Sequence, residues 1–147
     1  MKRFAAPLIT FLTIGTLANS AVAPSSPERL KEISSHIIEG TVTEVSTEIV
    51  GYPSSLDAIK EKFGGKSNTN TVYNIKVKVT AVTKGDDVKV GDEVTVQAWR
   101  PHTRPLPEPG PQGHSNIPSV GEKVTVHTKK SGDVYKPIMP NGISKGK

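Results

Sequence analysis

The sequence predicts a small all-β domain with one or two short helices. Its five short strands close, or half-close, into a barrel, and a small β-sandwich is the alternative. Three observations carry this. From Thr71 to Val82, apolar Tyr73, Ile75, Val77, Val79 and Ala81 alternate with Asn74, Lys76, Lys78 and Thr80. That period of two, free of Gly and Pro, is the pattern of a strand with one face on a core. The chain also holds 13 Gly and 12 Pro, residues that serve turns between short strands. Finally, Val90-Gly91-Asp92-Glu93-Val94-Thr95-Val96 is matched by Val120-Gly121-Glu122-Lys123-Val124-Thr125-Val126. Each copy reads as a glycine–acidic turn feeding a strand.

The elements follow in order. Residues 1–23 read as a secretory signal: Lys2-Arg3 is the basic start, Phe4 to Ala18 the apolar run, and Asn19 to Ala23 the small-residue cleavage region. The run is shorter than the ~20 residues that span a bilayer. The expectation is therefore an exported protein, periplasmic or extracellular, with no stable membrane span after cleavage. Residues 24–140 form one domain, and residues 141–147 a flexible tail. Ser26-Pro27-Glu28 carries helix-start chemistry, with Leu30 and Ile33 on one face. His36 to Val45 is the first strand. Its phase slips between Val42 and Val45, which a bulge near Thr43 would absorb, and Gly40 suits a tight bend.

Ser54 or Ser55 can cap a helix through Phe63, with Leu56, Ile59 and Phe63 as its apolar stripe and Gly64-Gly65 as its stop. Lys84 to Asp87 turns the chain after the second strand. Glu93 to Trp99 is the third strand, Lys123 to His127 the fourth, and Val134 to Met139 the last, an edge strand because it contains Pro137. Arg100 to Ser119 holds six prolines, half of those in the chain, and reads as a stiff extended loop.

Together, the runs Ile38 to Val42, Tyr73 to Val77, Val82 to Gly85 and Val90 to Val96 resemble exported bacterial OB-like barrels, similar to netrin and metalloproteinase-inhibitor modules. The resemblance spans residues 36–138 and implies a five-stranded OB-like barrel. Two departures stand out. The Pro-rich loop replaces the helix between the third and fourth strands. The cysteines of secreted animal relatives are absent, including the N-terminal one used in inhibition, so protease inhibition by that route is not implied.

Composition narrows the chemistry. With no cysteine, disulfides, zinc–thiolate sites, iron–sulfur clusters and a cysteine nucleophile are excluded. The net charge is +5; without Lys2 and Arg3 it is 17 basic against 14 acidic residues, or +3. That points to solubility more than to an anionic partner. Gly113-His114-Ser115 lacks the Gly-x-Ser-x-Gly elbow of a serine hydrolase. The carboxylates fall in turns and on solvent faces, so no glycosidase pair is expected.

The surface feature expected to bind is Trp99, Arg100, His102 and Arg104, an indole flanked by cations. The alternative for Trp99 is a cover of Pro-rich loop folded back on it. Few aromatics are placed to stack bases, so no nucleic acid is expected. The function expected is a non-enzymatic binding or interaction domain of the cell envelope, with a protein or glycan partner and no cofactor. From another class, the alternative is a small periplasmic metal-binding protein using His102, His114 and His127.

Overall fold

The structure is a computed structural model and describes residues 22–107, 110 and 112–146. The expected signal segment lies outside them, apart from positions 22 and 23. Ser26 opens helix α1 (Pro27–Ile33) by accepting a hydrogen bond from the Arg29 N–H at 3.2 Å. Leu30 is its buried residue. The strands are β1 (His36–Gly51), β2 (Thr69–Lys84), β3 (Glu93–Thr103), β4 (Lys123–Ser131), β5 (Val134–Pro137) and β6 (Ile143–Lys145).

The strands run in the order β1-β2-β3-β5-β4, and β4 pairs back onto β1 to close a ring of five. All neighbours are antiparallel except β3 and β5. This is the barrel-like arrangement expected, and closure leaves few open edges. A sandwich would have kept β1 and β4 in separate ladders. Alternation fills the interior with Ile38, Val42, Ile75, Val77, Val79, Val96, Val124 and Val126, each at most 2% exposed. Burying one such side chain contributes roughly 1.5–3 kcal/mol. Ile75, Val94 and Val124, from three strands, belong to one cluster.

The slip between Val42 and Val45 is a register shift in the β1–β2 ladder between Val42 and Glu44. It turns Val45 back toward the core, against which it is partly buried. Gly40 sits at a second shift, where an added Cβ would collide with the Lys78 carbonyl oxygen. Only glycine lets β1 and β2 come that close.

The duplicated motif is one turn used twice. The Asp92 N–H donates to the Lys89 carbonyl and the Glu122 N–H to the Ser119 carbonyl, both at 3.1 Å. Gly91 and Gly121 sit at φ +95° and +88°. The Asp92 and Glu122 carboxylates accept from the Lys89 and Ser119 N–H groups, each at 2.8 Å. Each turn then locks onto a different strand. Gly91 and Asp92 bond Val79, while Gly121 and Glu122 bond Val42. Turn and ladder thus begin each strand together.

Three expectations change. The strand that contains Pro137 is not an edge: β5 lies between β3 and β4, and Pro137 is its last residue, where a missing N–H costs the ladder least. The tail is not wholly free: Ile143–Lys145 pairs with β4, and Ile143 is buried in the core. A β-branched residue reaching uncovered core outweighs the fraying of a terminus. The excursion between β1 and β2 is a 3-10 helix, Asp57–Phe63, with no buried residue. Its three-residue repeat lines up Leu56 with Ile59 but leaves Phe63, four residues on, off that line. Ile59 and Phe63 are exposed.

Candidate functional site

Strand β3 runs through to Thr103, four residues beyond the expected end at Trp99. Successive side chains on a strand point to opposite faces. Ala98 is fully buried, so Arg100 and His102 follow its face, while Trp99 joins Gln97 on the outer face. The four expected binding residues therefore do not form one surface.

Arg100 staples the Pro-rich loop to β3. Its Nε donates to the His114 carbonyl at 2.9 Å, and an Nη to the Ser115 carbonyl. Arg104 donates to the Thr69 carbonyl and to Asn70 Oδ1, with its guanidinium 4.9 Å from the centre of the Tyr52 ring. Burial holds its pKa below the ordinary arginine value. His102 is exposed, with Nδ1 3.2 Å from Thr71 Oγ1.

Trp99 is half-buried. The loop does return to it, through Gly113 and His114. The His114 N–H donates to the Trp99 carbonyl at 2.9 Å, and the Trp99 N–H to His114 Nδ1 at 3.1 Å. The two rings meet edge to face, 6.4 Å between centroids. Gly113, at φ +78°, is packed so close that an added Cβ would strike the Trp99 carbonyl oxygen.

The indole is left lining a cavity of about 210 Å³ with Val72, Gln97, His114, Pro137 and Met139. A second cavity, of about 400 Å³, shares His114 and Met139 and is also bordered by Arg100 and Pro140. Beside the indole, Gln97 Nε2 donates to Asn74 Oδ1 at 3.0 Å. Asn74 Nδ2 in turn reaches Glu48 at 3.4 Å. The outer face thus combines an apolar slot with a polar ladder across three strands. Sequence reading missed Pro137 and Met139 here, because β5 and the segment after it come beside β3 through the parallel β3–β5 pairing; it also missed Val72, the partner of Trp99 in the β2–β3 ladder.

The histidines do not gather. His114 is buried, with Nε2 3.1 Å from the Pro137 carbonyl and Nδ1 accepting from Trp99. A neutral imidazole donating from Nε2 satisfies both. His127 is half-buried on β4, and its Nδ1 is buried without a hydrogen-bond partner. Burial, and to a lesser extent the Lys31 charge, lowers its pKa. Among the described residues, no group of three His, Asp or Glu side chains could hold a metal ion.

A further cluster was not anticipated. His36 is buried between Tyr135, 5.1 Å away edge-on, and Gly85, whose missing Cβ makes room for the ring. Its Nδ1 lies 2.8 Å from Ser35 Oγ and its Nε2 2.6 Å from Asp87 Oδ1. Lys130 binds the other Asp87 oxygen. The order Ser–His–Asp is that of a hydrolase relay, but Ser35 Oγ is also held by backbone. It accepts from the Lys130 N–H and contacts the Thr128 carbonyl, both at 3.3 Å. The cluster ties the start of β1 to the β2–β3 turn and to β4. Lys130 first, and His36 second, lower the Asp87 pKa to about 2.

No family model matches this sequence, and searches of curated proteins and of solved structures find no similar chain.

Proposed function

We propose that this chain is a non-enzymatic, exported interaction domain that takes a protein partner on the outer face of β3, at Trp99. The single observation that carries the reading is the half-buried indole over an apolar slot of about 210 Å³. Pockets for whole small ligands usually enclose roughly 300–1,000 Å³. A slot this size, walled by Val72, Pro137 and Met139, suits one apolar side chain of a polypeptide. Indoles are frequent anchors at such contacts, and methionine adapts to different shapes. The basic start and apolar run of residues 1–18 support export, which would place the partner at the cell envelope.

Trp99 is the only tryptophan in the chain, so its emission reports directly on the slot. Envelope proteins captured by wild type should be lost with Trp99→Ala. One of them, purified and titrated in, should shift the emission and protect it from acrylamide. The reading fails if Trp99→Ala retains the same partners, or if binding leaves the emission unchanged.

A further inference from the structure

Among the described residues, no strand lies on the outer side of β1 along its second half. β4 pairs with β1 only from His36 to Thr41, and the duplicated turn then bonds Val42. From Thr43 to Gly51, β2 is the only strand that pairs with β1 among the described residues. The direction of the peptide groups follows from the hairpin end. The Tyr52 N–H donates to the Asn68 carbonyl at 2.8 Å. Counting back by twos, Val50, Glu48 and Ser46 direct their peptide groups to β2, while Ile49, Thr47 and Val45 direct theirs outward. The stretch Glu44-Val45-Ser46-Thr47-Glu48-Ile49-Val50 contains neither Lys nor Pro, two of the usual edge guards, and its only charges are Glu44 and Glu48. Ile49 is 61% exposed.

We infer that this edge pairs with the same edge of a second copy, antiparallel, with Thr47 on the twofold axis. The register is selected by the side chains. With Thr47 opposite Thr47, Val45 faces Ile49 of the other copy twice over, and Glu44 and Glu48 face Val50 and Ser46. The three outward pairs, Val45–Ile49, Thr47–Thr47 and Ile49–Val45, are then the hydrogen-bonded ones, each exchanging two bonds. Centring on Glu48 sets it against its own copy, and centring on Ser46 sets Glu44 against Glu48; like charges directly opposite destabilise a pair. Centring on Ile49 shortens the overlap. The two glutamates are also partnered at home, Glu44 by Lys76 at 2.7 Å and Glu48 by Asn74. An isologous contact of this kind closes at two copies and does not propagate.

The chain has no cysteine, so a single one introduced at Thr47 reports on the axis. Bonded antiparallel partners sit about 5.5 Å apart at Cα, within the span of a disulfide (roughly 4.4–6.8 Å). Thr47→Cys should cross-link into dimers under mild oxidation, while Val50→Cys, placed opposite Glu44, should not. Sedimentation of the unmodified protein should show a concentration-dependent dimer. That dimer should be lost in Ile49→Lys, whose exposed side chain spares the monomer fold, and in Thr47→Pro, which removes an outward N–H the β1–β2 ladder does not use. The inference is overturned by a monomer at all concentrations, by equal cross-linking at positions 47 and 50, or by a dimer that survives in folded Ile49→Lys. Because Trp99 lies outside this edge, Trp99→Ala should leave the dimer intact.

Discussion

The side-chain amide of Asn68 brackets the backbone of Leu106. Its Oδ1 accepts the Leu106 N–H at 3.0 Å, and its Nδ2 donates to the Leu106 carbonyl at 3.4 Å. Both residues are completely buried. An amide supplies one donor and one acceptor, as a strand partner would, and so replaces a ladder that the neighbouring prolines cannot complete. With Arg104 on Tyr52, this contact pins the loop after β3 to the far end of the β1–β2 hairpin.

Asn68→Ala should therefore loosen the loop and leave two buried backbone groups unpaired, at a cost of about 1–3 kcal/mol for each. Leu106→Ala should cost about 2–5 kcal/mol through the cavity it leaves. Urea denaturation checks both. Hydrogen exchange should locate the loss at residue 106 and spare Ile75.

The Asp87 carboxylate is held down to about 2 by Lys130 and His36, against an unfolded value of about 3.9. A lowered carboxylate stabilises the fold fully above its unfolded pKa and loses that contribution as pH falls through the folded one. Stability should therefore drop between about pH 4 and 2. In Asp87→Asn that part of the drop should disappear, as followed by circular dichroism across the acid range.

His127 carries the same sign from a different cause. Burial first, and the Lys31 charge second, lower its pKa in the fold, so its contribution is complete above the unfolded value of about 6.5 and fades as pH falls through the lower folded value. Replacing it by Gln should flatten the stability slope on the acid side of pH 6.5. Denaturant midpoints at stepped pH test this.

Gly113→Ala should displace the loop from β3, because the new Cβ meets the Trp99 carbonyl and φ is +78°. The expected readout is a red shift in Trp99 emission with little change in the far-ultraviolet spectrum. Gly91→Ala, at φ +95° with open space around it, should cost only backbone strain and leave the emission in place.

Much of the barrel-like fold could be read locally. Alternation from Tyr73 to Val79 set which side chains turn inward, and the phase slip at Thr43 announced the bulge; the second shift, at Gly40, was not foreseen and turns Val82 rather than Ala81 to the core. The Val-Gly-acidic repeat named both turns. The site was less legible for a local reason as well. Ending β3 at Trp99 treated Trp99, Arg100 and His102 as one loop surface, whereas four more strand residues place them on opposite faces. Pro101 did not stop the strand, since the chain there pairs only with β2, opposite Asn70.

By itself, the sequence determined the inward and outward faces of the strands and the turns that start them, because alternation and glycine geometry are local properties of the chain. Only the tertiary structure decided which distant groups meet. His36 finds Asp87 51 residues away, Asn68 finds Leu106 38 residues away, and Met139 comes to border the Trp99 slot. The first two depend on where the β1–β2 and β2–β3 ladders end, the third on the parallel β3–β5 contact, and none leaves a periodic trace in the residues that make it.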